Sequence, residues 1–233
     1  MNLKALAGTA LAMAAAAFVT VGNGEEVARK DFPATCEFDA EGKPPCGCVL
    51  VGPNALLTAA HCMKDEDRTG QVGILSQSQA RTGVCTISRD LDLAICPVSA
   101  TIDEPFERIS SSPLTEGDDL LLTGFGCSRA LQPNPTRTLR MALARVQTLP
   151  VSDNFIGLER GWLCSGDSGG PAFSLEDSSN HLGPRLVVGI NAENFHVTSV
   201  STPAADEFIR SWAEDNNVGV CGVREVRGLR CRG

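Results

Sequence analysis

Apolar residues in this chain come in short runs rather than in long periodic stretches. Cys48–Val51, Ala55–Ala59, Leu91–Cys96, Leu120–Thr123, Arg185–Ile190 and Val197–Val200 are each broken off by turn residues. Runs of this kind predict short buried strands, and the 23 glycines and 13 prolines supply the turns between them. The pattern is that of an all-β sandwich or barrel. The long amphipathic segments that would connect parallel strands in an α/β protein are missing. One helix is predicted, from about Ala204 to Asn216: Pro203 and the early acids suit a helix start, and Phe208, Ile209 and Trp212 share one face.

The two ends read differently from the middle. Residues 1–20 carry Lys4 and then an alanine-rich apolar run to about Val21, the plan of a secretory signal peptide. A membrane anchor is the competing reading, since the run is just long enough to span. Its weak, alanine-dominated hydrophobicity favours export, and no other stretch is apolar enough to cross a bilayer. Glu107–Asp118, with Ser110-Ser111-Ser112-Pro113 inside it, reads as a surface linker between halves of similar size, 21–112 and 113–217. Residues 218–233 form a small basic tail, which a Cys221–Cys231 bridge would close on itself; such tails are usually only solvated.

A formal charge of -8 makes nucleic acid an unsuitable partner, because phosphate binding needs a basic surface. Ten cysteines behind a signal peptide point to disulfides in an oxidising compartment, extracellular or periplasmic. Cys46, Cys48 and Cys62 lack the paired spacing of a zinc site.

The chemistry concentrates in Cys164-Ser165-Gly166-Asp167-Ser168-Gly169-Gly170-Pro171. Glycines on both sides of Ser168 let a ligand approach the backbone and leave amides bare for a negative oxygen. A serine hydroxyl is a weak nucleophile without a positioned base, so the stretch calls for a histidine and a carboxylate elsewhere. Leu57-Thr58-Ala59-Ala60-His61-Cys62 offers the first and Asp92-Leu93-Ala94-Ile95 the second, with Asp90 as a rival acid. Gly166-Asp167-Ser168-Gly169-Gly170 also fits the nucleophile elbow of α/β-hydrolases. Those enzymes run serine, acid, histidine along the chain, whereas here the histidine comes first.

On these motifs the chain resembles the trypsin/chymotrypsin family of serine peptidases, from about Val21 to Asn217. Thr-Ala-Ala-His-Cys and Gly-Asp-Ser-Gly-Gly-Pro carry the resemblance. Gly124-Phe125-Gly126 and Val188-Gly189-Ile190 add to it, as does the spacing of Cys46 and Cys62. It implies two packed six-stranded antiparallel β-barrels with the active site between them and a C-terminal helix. The first barrel carries His61 and Asp92, and the second carries Ser168. Ser168 is then the nucleophile, His61 the base, Asp92 its orienting acid (the family pattern selects Asp92 over Asp90), and the amides of Gly166 and Ser168 the oxyanion hole. An activation pair is implied between a new amino terminus at Val21 and Asp167. That terminus would arise by direct cleavage after Thr20, or by a cut after the Ala14–Ala17 run followed by trimming. The short leader leaves room for no long propeptide.

The same resemblance places Trp162 and Leu163 at the floor of the primary substrate pocket, with Ser165, Ala192 and Asn194 around it. No aspartate stands there to select Lys or Arg. The implied disulfides are Cys46–Cys62, Cys127–Cys164 and Cys85–Cys96, with Cys36–Cys48 taking the remaining pair. His196 reads as an ordinary strand-edge histidine. The segment between His61 and Asp92 lacks an acidic cage for calcium. The expectation is a secreted, monomeric serine endopeptidase with no metal or cofactor, acting on protein or peptide substrates and open to a protein inhibitor. A secreted homologue that binds without catalysing is the alternative.

Overall fold

The computed structural model describes residues 24–63, 68–74, 80–99, 105–127, 137–151, 155–160, 163–177 and 179–232. The expected signal segment, Val21 and Trp162 lie outside the described residues.

Among the described residues, fourteen strands form two antiparallel sheets. The first holds β2 (Thr35–Asp39), β3 (Cys46–Gly52), β4 (Ala55–Thr58), β5 (Gln71–Gly73), β6 (Ala80–Arg81), β7 (Thr86–Ile87) and β8 (Ala94–Pro97). The second holds β1 (Glu25–Glu26), β9 (Asp119–Gly124), β10 (Arg140–Val151), β11 (Phe155–Arg160), β12 (Pro171–Leu175), β13 (Arg185–Asn191) and β14 (His196–Ser199). In the second sheet the order β10-β11-β14-β13-β12-β9 closes on itself, because β9 also pairs with β10. The result is a six-stranded barrel, with β1 added on the outer side of β10. The first sheet, β6-β5-β2-β3-β4-β8-β7, curls into a half-barrel. Its margins are tied where Thr82, just after β6, bridges Val98, just after β8. This is the chymotrypsin-like arrangement, with one C-terminal helix.

The apolar runs become β3, β4, β8, β9, β13 and β14 for a simple reason: they are buried on both faces. All seven residues of β3 and all four of β4 are buried. The strand β10 carries a weaker signature. Ala142, Ala144 and Val146 alternate inward, while Leu143 between them is 39% exposed. Small inward residues make the period of two hard to see.

The helix α1 (Pro203–Asp215) begins where Thr202 accepts a hydrogen bond from the Ala205 amide and Pro203 occupies the first turn. It buries Ala205, Ile209, Trp212 and Ala213 in the apolar cluster of the first sheet. Phe208 is only partly buried.

The linker and tail differ from expectation. Glu107, Ile109 and Ser110 are buried, as is Phe106 just before them, so the first part of the linker is not a surface segment. The Glu107 carboxylate accepts from Nε and Nη2 of Arg185 at 3.1 and 2.6 Å, and neither side chain reaches solvent. The Arg185 guanidinium lies 4.1 Å from the Phe32 ring centre and 4.9 Å from that of Phe173. A charge removed from water needs such a partner, and stacking on the two rings adds to it. The tail lies over this pair. Cys231 pairs with Phe106, the Ile109 amide donates to Cys221 O, and Arg232 reaches the Asp31 carbonyl. The tail is therefore packed rather than merely solvated. The ten cysteines lie in five disulfide pairs: Cys36–Cys48, Cys46–Cys62, Cys85–Cys96, Cys127–Cys164 and Cys221–Cys231.

Candidate active site

His61 sits in a single 3-10 turn, Ala60–Cys62, that follows β4 directly. Asp92 lies two residues before β8. Because β4 and β8 are antiparallel, with Thr58 opposite Ala94, the end of one strand and the start of the other meet at the same edge. The His61 Nδ1 is 2.7 Å from Asp92 Oδ2, and the His61 amide donates to Oδ1 at 2.9 Å. Burial pushes the Asp92 carboxyl up. The His61 ring and the amides of His61 and Ala60 outweigh it and hold the group below the usual carboxylate range. Asp90 is exposed and makes no such contact; its amide donates to Ser88. The His61 side chain is half-exposed, and among the described residues its Nε2 has no hydrogen-bond partner.

The serine turn comes from the other barrel, between Leu163 and β12. Gly166 and Gly169 have φ of 99° and 84°, which only glycine adopts freely. Contact with the first barrel is close. The Gly47 amide donates to Ser168 O at 2.6 Å, and Thr58 donates to Gly47 O at 2.8 Å. A Cβ on Gly169 would lie 2.2 Å from Gly47 O. Gly47 is thus the joint. Its neighbour Cys46 is bonded to Cys62, beside His61, while its own amide holds the backbone of Ser168. Asp92 is tied across the same gap, its carbonyl accepting from Thr198 Oγ1 at 3.3 Å. The amides of Gly166 and Ser168 have no acceptor among the described residues, as a site for a negative oxygen requires. The Ser168 hydroxyl donates to Ala192 O at 2.8 Å rather than to His61.

Asp167 is fully buried beneath this turn. Its carboxylate accepts from the amides of Gly126 and Cys164, at 2.9 and 3.0 Å. Burial nevertheless dominates and raises its pKa to about 7, with those amides and the more distant Arg140 only moderating the rise. Gly124 and Gly126 make room for it: a Cβ on either would come within 2.2 and 2.5 Å of its carboxyl atoms.

The expected pocket residues divide. Ser165 and Asn194 are exposed, Ala192 is buried, and Leu163 is 2% exposed within the apolar cluster of the closed barrel. His196 begins β14 beside Phe155, with ring centres 5.9 Å apart. Cys46, His61 and Cys62 offer donor atoms within 4.8 Å of one another, but the two sulfurs are bonded to each other. Sequence reasoning missed Asn191. Its buried side-chain amide donates to Thr123 O and Asp167 O, and its backbone carbonyl accepts from the Gly169 amide. A polar residue ending the otherwise apolar Leu186–Ile190 was the available signal.

A family model described as Trypsin matches residues 21–205, most of the chain and every residue of the site. With that match and this fold, the chain belongs to the trypsin family of serine peptidases.

Proposed function

We propose that the chain is a secreted serine endopeptidase, working through His61, Asp92 and Ser168. The observation that carries the reading is the His61–Asp92 pair, oriented at 2.7 Å beside a glycine-flanked serine with two free amides. In the proposed reaction Ser168 Oγ leaves Ala192 O, gives its proton to His61 Nε2 and attacks the scissile carbonyl carbon. Asp92 holds the Nδ1 proton and offsets the charge of the imidazolium. The Gly166 and Ser168 amides receive the oxyanion. Collapse of the intermediate breaks the C–N bond. The departing amine takes the proton from Nε2, and the acyl group stays on Ser168 as an ester. Water then repeats the sequence and releases the acid.

Asp167 is proposed to receive the amino group of a terminus at Val21. Its burial and its raised pKa support this, since a carboxylate so placed is best stabilised as an ion by a cation. The position two residues before Cys164, expected at the floor of the substrate pocket, is Trp162 rather than an aspartate that would meet a Lys or Arg side chain, so cleavage after basic residues is not expected. The enzyme is proposed to act as a monomer. Among the described residues no helix is long and apolar enough to cross a membrane.

One observation favours a second reading, a catalytically silent binding protein: the Ser168 hydroxyl is engaged by Ala192 O. Exposure of purified protein to a small fluorophosphonate separates the two. Stoichiometric labelling that disappears in Ser168→Ala supports the peptidase. Absence of labelling in protein whose terminus is at Val21 favours the silent homologue.

A further inference from the structure

On the peptidase reading, the substrate pocket that the family resemblance implies lies between two segments flanking Ser168. One is Leu163–Gly166, leading into the nucleophile. The other is Ala192–His196, whose first carbonyl touches the Ser168 hydroxyl. On that placement, a side chain attached next to the attacked carbonyl lies between them.

Here the two walls are joined. The Leu163 amide donates to Asn194 O at 2.7 Å, as an antiparallel bridge. Backbones paired in this way stand about 5 Å apart, which leaves no slot for a side chain beyond the first carbon or two. Each wall is also pinned from behind. On the first, Leu163 is buried with Ile156, Leu158, Val188 and Val197, and the next residue is held by the Cys127–Cys164 disulfide. On the second, the His196 amide donates to Glu193 O, the Ala192 amide to His196 O and the Leu158 amide to Phe195 O. Asn194 sits in the left-handed region, φ 51°, where asparagine is tolerated better than most residues. The closure is thus supported by packing, a disulfide and a tight turn together.

The geometry points to the Leu163–Asn194 pairing as the specificity determinant of this chain, restricting cleavage to bonds that follow glycine or alanine. The inference rests on the peptidase reading and narrows its substrates to extended segments rich in those two residues. Larger side chains meet paired backbone rather than a pocket.

The test uses the full secreted chain with its terminus at Val21, in two steps. Labelling with a small fluorophosphonate first reports whether Ser168 is reactive. Peptides differing only in the residue before the scissile bond then report preference. The expected result is labelling, with kcat/KM for Ala and Gly about 100-fold above that for Leu, Phe, Lys or Arg, the scale on which a pocket rejects extra carbons. In Leu163→Pro, which lacks the donor amide, the preference should narrow by about tenfold. Labelled wild-type protein that cuts as well after Phe, Leu or Lys overturns the inference and leaves the peptidase standing. So does labelled protein that cuts none of the peptides, or an unchanged preference in folded Leu163→Pro. Protein that is neither labelled nor active removes the peptidase reading itself, and the inference with it. If Leu163→Pro does not fold, the wild-type profile alone decides.

Discussion

Two aspartates, one in the half-barrel and one in the closed barrel, are held in opposite ways. Asp92 has a partially exposed histidine against it and two amides pointing at it, and its carboxyl sits below the usual range. Asp167 is sealed under the serine turn with two amides for company, and its pKa rises to about 7. The first barrel therefore builds a finished charged pair from its own strand ends. The second holds its serine turn over a carboxylate that still lacks a close cation among the described residues. The difference teaches that orienting the base is a local matter, settled by β4 and β8. On the proposed reading, presenting the nucleophile depends on what neutralises Asp167.

The strongest way to break the comparison is to remove the nucleophile. Ser168→Ala should abolish peptide cleavage, by about 10⁶-fold in kcat, while the melting temperature stays within a degree or two of the wild type, because a half-buried hydroxyl is all that is lost. Steady-state assays and calorimetry check both. Asp92→Asn comes next. It keeps the shape but presents the wrong histidine tautomer, and kcat should fall by about 10⁴-fold with KM little changed.

Gly126→Ala strikes the other aspartate. Its Cβ would lie 2.5 Å from the Asp167 carboxyl group, so the serine turn must shift and the Gly166 and Ser168 amides with it. A loss of about 10²–10³-fold in kcat is expected, with the His61–Asp92 pair intact. An NMR signal of the His61 Nδ1 proton, retained in Gly126→Ala and lost in Asp92→Asn, distinguishes the two barrels.

The smallest effect is a dependence on pH. Without a cation, Asp167 holds its proton more tightly folded than unfolded, since its pKa lies near 7 rather than 3.8. Its contribution to stability is then complete below about pH 4 and is lost as the pH rises through about 7. An amino terminus at Val21 paired with the ionised carboxylate removes that decline. Urea melts at about pH 5 and about pH 8, on protein with the leader retained and with the terminus at Val21, should show the decline only in the former.

Much of the site was legible because its residues are chemically out of place. A serine among glycines, a histidine ending a small apolar run and an aspartate entering another all contradict their surroundings. The helix was readable from Pro203 and the spacing of Ile209 and Trp212. What the sequence hid depends on partners far away along the chain. Glu107 read as a surface charge in the linker, and Arg185 as the first residue of a buried run with no partner in view, yet they bury each other across 78 residues. Ser110-Ser111-Ser112-Pro113 suggested open solvent for the whole linker, although Phe106 and Ile109 just before it are covered by the tail. The Leu163–Asn194 pairing is a backbone contact that no side-chain type announces.

The packed tail bears on how long the molecule lasts. Residues 218–232 hold the first sheet through the Cys221 amide and Val51 O, the crossing segment through Phe106 and Ile109, and the approach to the first barrel through Arg232 and Asp31. The Cys221–Cys231 bond makes one rigid loop of these attachments, so a shear between the barrels loads them together instead of peeling them singly. A chain living among peptidases is destroyed when a segment opens far enough to enter another cleft, and its survival follows the rarity of that opening. Residues 218–232 are thus expected to slow that opening rather than to take part in the proposed reaction. None of these attachments is to His61, Asp92 or Ser168, and on the proposed reading the tail bears on how long the serine is kept in place.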